Sequence, residues 1–261
     1  MLVSFTAPPS ISRRFWPVFM RNLLVWKKLA VPSVIGNIAE PLITLVAFGY
    51  GLGSMIGQID GRPYIQFLAS GSIVVSAALA ATFEALYSAY SRMQMQKTWD
   101  SIMNAPIALD DIVFAEMLWA AFKSLFSVAA IMVVIWVLGI SREPTMLLAL
   151  PLLGLVGITF ASVALVFNAL AKGYDFFTYY FTLVITPMTF LSGVYFPVAQ
   201  MPGWLQGVAH ALPLTAAVEL VRPLILGRPT GAVLQPVCVL VAYAVGGYYL
   251  ALVLTRRRFF K

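Results

Sequence analysis

The chain has 261 residues, 61% of them apolar and 10% charged, with a mean hydropathy of +0.90. Soluble domains carry about 45–50% apolar and about 25% charged residues, so a water-soluble enzyme and a disordered chain are both excluded. One cysteine (Cys238) and one histidine (His210) leave no disulfide framework, CxxC site or histidine metal cluster, and the net charge of +7 must be reconciled with lipid as the solvent.

Residues 11–30 come first. On a helical wheel Phe15, Trp16, Phe19, Leu23, Trp26 and Ala30 form one stripe, with Arg14, Arg21 and Lys28 opposite. This pattern predicts an amphipathic helix lying in the headgroup layer, regular from about Pro17 onward. Arg13, Arg14 and Arg21 interrupt any apolar core, so no cleavable signal peptide is expected.

Six segments are then long and apolar enough to span a bilayer: about 33–54, 64–90, 113–138, 146–170, 176–198 and 231–254. Ser33 and the Asp110-Asp111 pair are expected to cap the first and third, the acids also favoured by the helix dipole. Glu40 and Glu84 lie inside spans, where carboxylates are costly. They read either as a polar or proton-binding conduit, or as partners for Lys123 and for backbone freed by Pro41. With a cytoplasmic N-terminus, thirteen Lys and Arg lie inside, from Arg13 through Arg256, Arg257 and Arg258 to Lys261. Only Arg62, Arg142, Arg222 and Arg228 lie outside, so both termini are predicted to be cytoplasmic. The excess charge is thereby a matter of topology, not of nucleic acid.

The inner loop 91–112 places Trp99, Ile102, Met103 and Pro106 at helical spacing beside polar residues such as Asp100. A short amphipathic helix presenting an apolar ridge to the cytosol is expected there, either docking a partner or lying on lipid. The fifth span is dense in aromatics, with Tyr174, Phe176, Phe177, Tyr179, Tyr180 and Phe181, then Phe190 and Tyr195 further out. Aromatic faces stack on sugar rings, and they equally form an interfacial belt or pack. Thr186-Pro187 is expected to kink this helix.

The outer segment 199–229 is too apolar for a free loop and too broken for a span. Gly193 and Pro197 lead into it, Pro202 and Pro213 interrupt it, and Glu219 and Arg222 stand three apart, able to pair on one face. A pair of helices dipping back from the outer face fits such a segment. No GxxxxGK[ST], GxGxxG or HExxH sequence is present, so any ATP hydrolysis belongs to another chain. The scattered acids also argue against a membrane enzyme.

The order of these features resembles the permease subunits of type-2 ABC exporters. These features are the basic amphipathic start, six spans, the inner loop with Met103-Asn104-Ala105-Pro106, and the outer signature. Leu191-Ser192-Gly193-Val194-Tyr195-Phe196-Pro197, Leu212-Pro213-Leu214-Thr215 and Glu219-Leu220-Val221-Arg222-Pro223 are most similar to the NodJ branch, permeases of lipo-oligosaccharide export.

The resemblance implies an all-α integral membrane domain, inserted in the bacterial inner membrane as a homodimer. Two copies of a NodI-like ATPase would dock on it, holding the ATP and magnesium, with no cofactor in this chain. It further implies that Trp99, Asp100, Ile102, Met103 and Pro106 form a coupling helix and that an amphiphile such as a lipo-oligosaccharide, glycolipid or polysaccharide moves outward. A path past Glu40, Tyr179, Tyr180, Phe190 and Tyr195 is the expectation for it. Hydrophobic drugs are the alternative cargo, and a gradient-driven secondary transporter using Glu40 or Glu84 is the alternative from another class.

Overall fold

The computed structural model describes residues 5–260, apart from the side chains of Val34, Asn37 and Glu40. Lys261 lies outside the described residues, as does the Glu40 side chain named above. With no water in hydrocarbon, a chain this apolar must satisfy its backbone polar groups internally, and helices do so within each segment.

The first helix, α1 (Phe15–Lys27), carries Pro17 in its opening turn, where a missing N–H is tolerated. It leads into α2 (Ala30–Val46), which continues through a π turn at Ala47–Leu52 to Gly53–Ile56. Strands β1 (Gln58–Ile59) and β2 (Arg62–Pro63) pair antiparallel around Asp60-Gly61, both at positive φ as a tight hairpin turn requires. Helix α3 (Tyr64–Met95) follows, then the short α4 (Thr98–Met103) and α5 (Leu109–Val137). After α6 (Pro144–Leu170) comes the helical run 175–191, α7. Two helices, α8 (Gly203–Ala211) and α9 (Pro213–Ile225), are bent 85° against each other, and α10 (Leu234–Phe259) ends the chain.

Among the described residues, α3, α5, α6 and α10 are the four helices long and apolar enough to cross a membrane, and the bent pair α8–α9 makes a fifth if taken as one. The expected first span shows a shorter apolar stretch, Pro41–Ile56. The expected fifth ends at Leu191 instead of residue 198, because Gly193 at φ 72° turns the chain out of the helix.

The core lies where α6 packs on α3, α5 and α10, with Ile73, Val128, Phe160 and Leu252 fully enclosed. Helices in lipid associate by close backbone approach. At Gly157 of α6 an added Cβ would lie 3.0 Å from Ala121 Cα and 2.7 Å from Ser124 Oγ, so only glycine permits this contact with α5.

One expectation about local structure is refined and three are corrected. The aromatic stripe of α1 packs on protein: Phe15 meets Phe114, Phe19 meets Trp119 and Phe122, and Trp26 meets Trp119 and Phe126, all on α5. Ser33 sits inside α2 and does not cap it; its Oγ accepts the Trp26 indole N–H at 3.2 Å. Asp110 and Asp111 lie in the first turn of α5, after Ala108 at its N-cap position. Their carboxylates serve long-range contacts. Arg256 of α10 donates Nε and Nη2 to Asp110 at 3.0 and 2.5 Å, and Nη1 to the Ala7 carbonyl at 2.6 Å. Ser10 and Ser12 donate to Asp110 and Asp111 at 2.7–2.9 Å. The inner loop is also shorter than 91–112, since α3 runs to Met95 before a turn at Lys97, held left-handed at φ 48°.

Candidate functional site

The C-terminal part of α3 and the N-terminal half of α5 bring four ionisable side chains together. Glu84 and Arg92 lie two turns apart on α3, and Glu116 and Lys123 two turns apart on α5, so each pair shares one helix face. Glu84 accepts from Lys123 at 2.6 Å and from Arg92 at 2.9 Å, and Arg92 reaches Glu116 at 2.5 and 2.9 Å. Two indoles complete the set: Trp119 Nε1 donates to Glu84 at 2.8 Å and Trp99 Nε1 to Glu116 at 3.2 Å. Both carboxylates are buried and the network is charge-balanced, the condition under which burial of ions is tolerated. Glu84 is thus paired with Lys123, as one sequence reading held. The α3 segment containing it, Glu84–Ser88, is a π turn.

Trp99 makes this network relevant to α4. It is 1% exposed and stacks on Phe259 of α10 with centroids 6.1 Å apart. The ridge expected to face the cytosol therefore faces inward at Trp99, with Ile102 and Met103 half-buried, while Asp100 and Pro106 are exposed. Beyond the end of α4, the Pro106 carbonyl accepts from Nη1 of Arg14, the residue just before α1.

At the opposite end Arg222 of α9 holds the loop after α7. Its Nη2 donates to the Gly193 carbonyl at 2.7 Å, its Nε to Ser70 Oγ at 3.0 Å, and its guanidinium lies 3.8 Å over the Phe67 ring. A Cβ at Gly193 would stand 2.8 Å from Val198, so the signature loop is tight as well as left-handed. Tyr64 of α3 donates to the Tyr195 carbonyl at 3.0 Å. Glu219 and Arg222 do not pair as expected. Arg222 turns toward α3 and Glu219 toward solvent, where it meets His210 at 3.1 Å. Pro197 precedes a 3₁₀ turn, and Pro202 and Pro213 each precede or open a helix, fixing the corners of the α8–α9 pair.

The aromatics of α7 divide. Tyr180 is buried against Phe167, at 4.2 Å between centroids, whereas Tyr179 is 64% exposed. Phe177 and Tyr174 pack with Tyr87 and Tyr90 of α3. Phe190 and Tyr195 line a cavity of about 250 Å³ with Phe83, Phe181 and Thr189. Tyr195 also borders a second, of about 80 Å³, with Pro41, Thr44, Ser72 and Ser76. The structure thus brings Phe190 and Tyr195 together in a cleft between α2, α3 and α7, with Tyr180 set apart from it. Arg92, Glu116 and Trp119 are not singled out by the sequence reading; their signal is helical spacing, Arg92 two turns from Glu84, Glu116 two turns from Lys123, and Trp119 one turn from each of those two.

Comparison with known proteins shows the family of the chain. The family model described as ABC-2 type transporter matches residues 13–226. Nodulation protein J of Sinorhizobium fredii is 45% identical over 241 residues, covering 92% of each chain. Nodulation protein J of Rhizobium leguminosarum bv. trifolii is 46% identical over 255 residues, 98% of this chain and 97% of that one. The inner membrane transport permease YadH of Escherichia coli is 25% identical over 238 residues, 91% of each. This chain, with its helical membrane architecture, belongs to the ABC-2 type transporter family, as a permease subunit of an ABC exporter and not itself an enzyme.

Proposed function

We propose that this permease moves an acylated oligosaccharide, glycolipid or polysaccharide outward across the bacterial inner membrane. Its family partners with an ATP-binding subunit; here we infer two copies, NodI-like, beneath a homodimer of this chain, with ATP and magnesium held on those subunits. In this reading the segments near 33–54 and 176–198 complete six spans, and both termini are cytoplasmic. The α8–α9 pair dips into the outer leaflet as a re-entrant hairpin. The cleft bordered by Phe190 and Tyr195 lies along the cargo's path, and Tyr179 meets the second copy or cargo.

The observation that carries the reading is the bond from Trp99 to Glu116. It joins the short helix α4, whose Asp100 is exposed, to a buried ion network between α3 and α5. A push on α4 is therefore delivered into α3 and α5 without a flexible intermediary.

The test is purification of the chain from its native membrane, followed by reconstitution. An ATPase of domain size is expected to copurify, and its activity to rise with a glycolipid cargo. Trp99→Ala and Met103→Glu are expected to abolish transport while the protein remains in the membrane. Normal transport by both variants removes the coupling role of α4, and transport by this chain alone in ATP-free vesicles removes the ATP-driven reading. Stimulation by hydrophobic drugs and not by glycolipids reassigns the cargo.

A further inference from the structure

A cavity of about 810 Å³ lies between α1, the inner end of α3 and α5, beside the ion network. Its polar walls include Arg21, Asn22 and three members of that network, Glu84, Arg92 and Lys123, and Val25 and Leu29, 54% and 62% exposed, are among its apolar ones. The network itself is neutral, two cations against two carboxylates. Arg21 is the cation in excess. Its Nη1 donates to Asn22 Oδ1 at 3.0 Å, and no carboxylate among the described residues forms an ion pair with it. Burial first, and then the neighbouring Arg92, lower its pKa below the ordinary arginine value, with Glu116 opposing them.

Asn22 gives a second, independent sign. It is 3% exposed, and its Nδ2 is buried with no hydrogen-bond acceptor. Buried donors are almost always satisfied, so this corner calls for an acceptor. An acceptor bearing negative charge answers both Arg21 and Asn22, and the apolar lip formed by Val25 and Leu29 selects a ligand with a hydrocarbon part.

We propose that this cavity seats the phosphate headgroup of an anionic amphiphile from the cytoplasmic leaflet, with Arg21 and Asn22 as donors and its acyl chains passing over Val25 and Leu29. Basic pockets among membrane helices on the cytoplasmic side recognise such headgroups. The inference rests on the cytoplasmic placement of α1 proposed above.

The probe is phosphatidylglycerol. Full-length permease is isolated from membranes containing it, washed in detergent, and its retained phospholipid counted by native mass spectrometry. Wild type is expected to retain phosphatidylglycerol in preference to phosphatidylcholine. Arg21→Gln and Asn22→Leu are expected to hold it about fivefold more weakly, and Lys28→Gln, which removes an exposed cation just after α1 and outside the cavity, to hold it as wild type does. Val25→Trp, which obstructs the lip and leaves every charge in place, is expected to expel it from a folded protein.

Equal retention by Arg21→Gln, Asn22→Leu and Val25→Trp overturns the proposal. Displacement of the lipid by equimolar inorganic phosphate overturns it in favour of a free soluble anion. Labelling of Lys28→Cys, in a Cys238→Ser background, reports the side on which α1 lies. Reaction from the outside would refute the topology while leaving the lipid count to be judged separately.

Discussion

Arg92 stands between two buried carboxylates and is the side chain on which the inner network turns. Removing one partner of a buried ionic set leaves an uncompensated charge in low dielectric, which costs about 3–5 kcal/mol, more than the whole set contributes. Arg92→Met is therefore expected to lower thermal stability in detergent severely. Replacing Glu84 and Lys123 together, as Gln and Met, is expected to cost less than replacing Lys123 alone. A double-mutant cycle by thermal unfolding checks this, and additive losses would show that the two groups do not interact. Part of this was legible in the sequence: Glu84 and Lys123 both fall within apolar segments, and an unpaired charge there is unaffordable. Arg92 was hidden because it was assigned to a loop, when α3 in fact continues through it to Met95. Trp99 was found by its spacing but given the wrong side. Periodicity identifies a face and says nothing about what that face meets.

The same limit acts at the level of the helix. The amphipathic character of α1 is plain in the sequence, yet its stripe is covered largely by Trp119, Phe122 and Phe126. Lipid and aromatic protein are equally apolar, so the pattern cannot tell them apart. In α7 a π turn at Phe181–Ile185 directly precedes Thr186-Pro187, where the sequence predicts a disturbance. Proline lacks the N–H that would bond the carbonyl four residues earlier, and the preceding turn widens. Pro187→Ala is expected to restore regular helix there and to slow amide hydrogen exchange over 181–185. Unchanged exchange would mean that packing of Phe181 on Phe83, 4.6 Å between centroids, holds the turn instead. Gly157 offers a complementary check. Gly157→Val forces α5 and α6 apart and is expected to destabilise by at least the 1–3 kcal/mol typical of overpacking, read as a fall in melting temperature.

Across the whole molecule, segments remote in sequence meet at the start of α5. Ser10 and Ser12, the start of α5 and the last turns of α10 are joined through Asp110, Asp111 and Arg256. Asp110→Asn is expected to release the residues before α1, seen as faster proteolysis near Ser10, while α3 and α6 stay protected; unchanged cleavage would show that packing alone holds the segment. Composition announced a helical membrane protein, and the basic tail announced an inner side. That Arg256 is 6% exposed and bound to a carboxylate was beyond reach of charge counting, which treats every cation as solvated. The contact has a consequence for how the protein is made. Arg256 emerges from the ribosome 146 residues after Asp110, so during synthesis Asp110 waits without its counter-charge while much of the bundle is already threaded. Closure of the contact marks the arrival of the final helix, and a chain truncated before it presents an unpaired acid and a loose leader to the cell's membrane proteases.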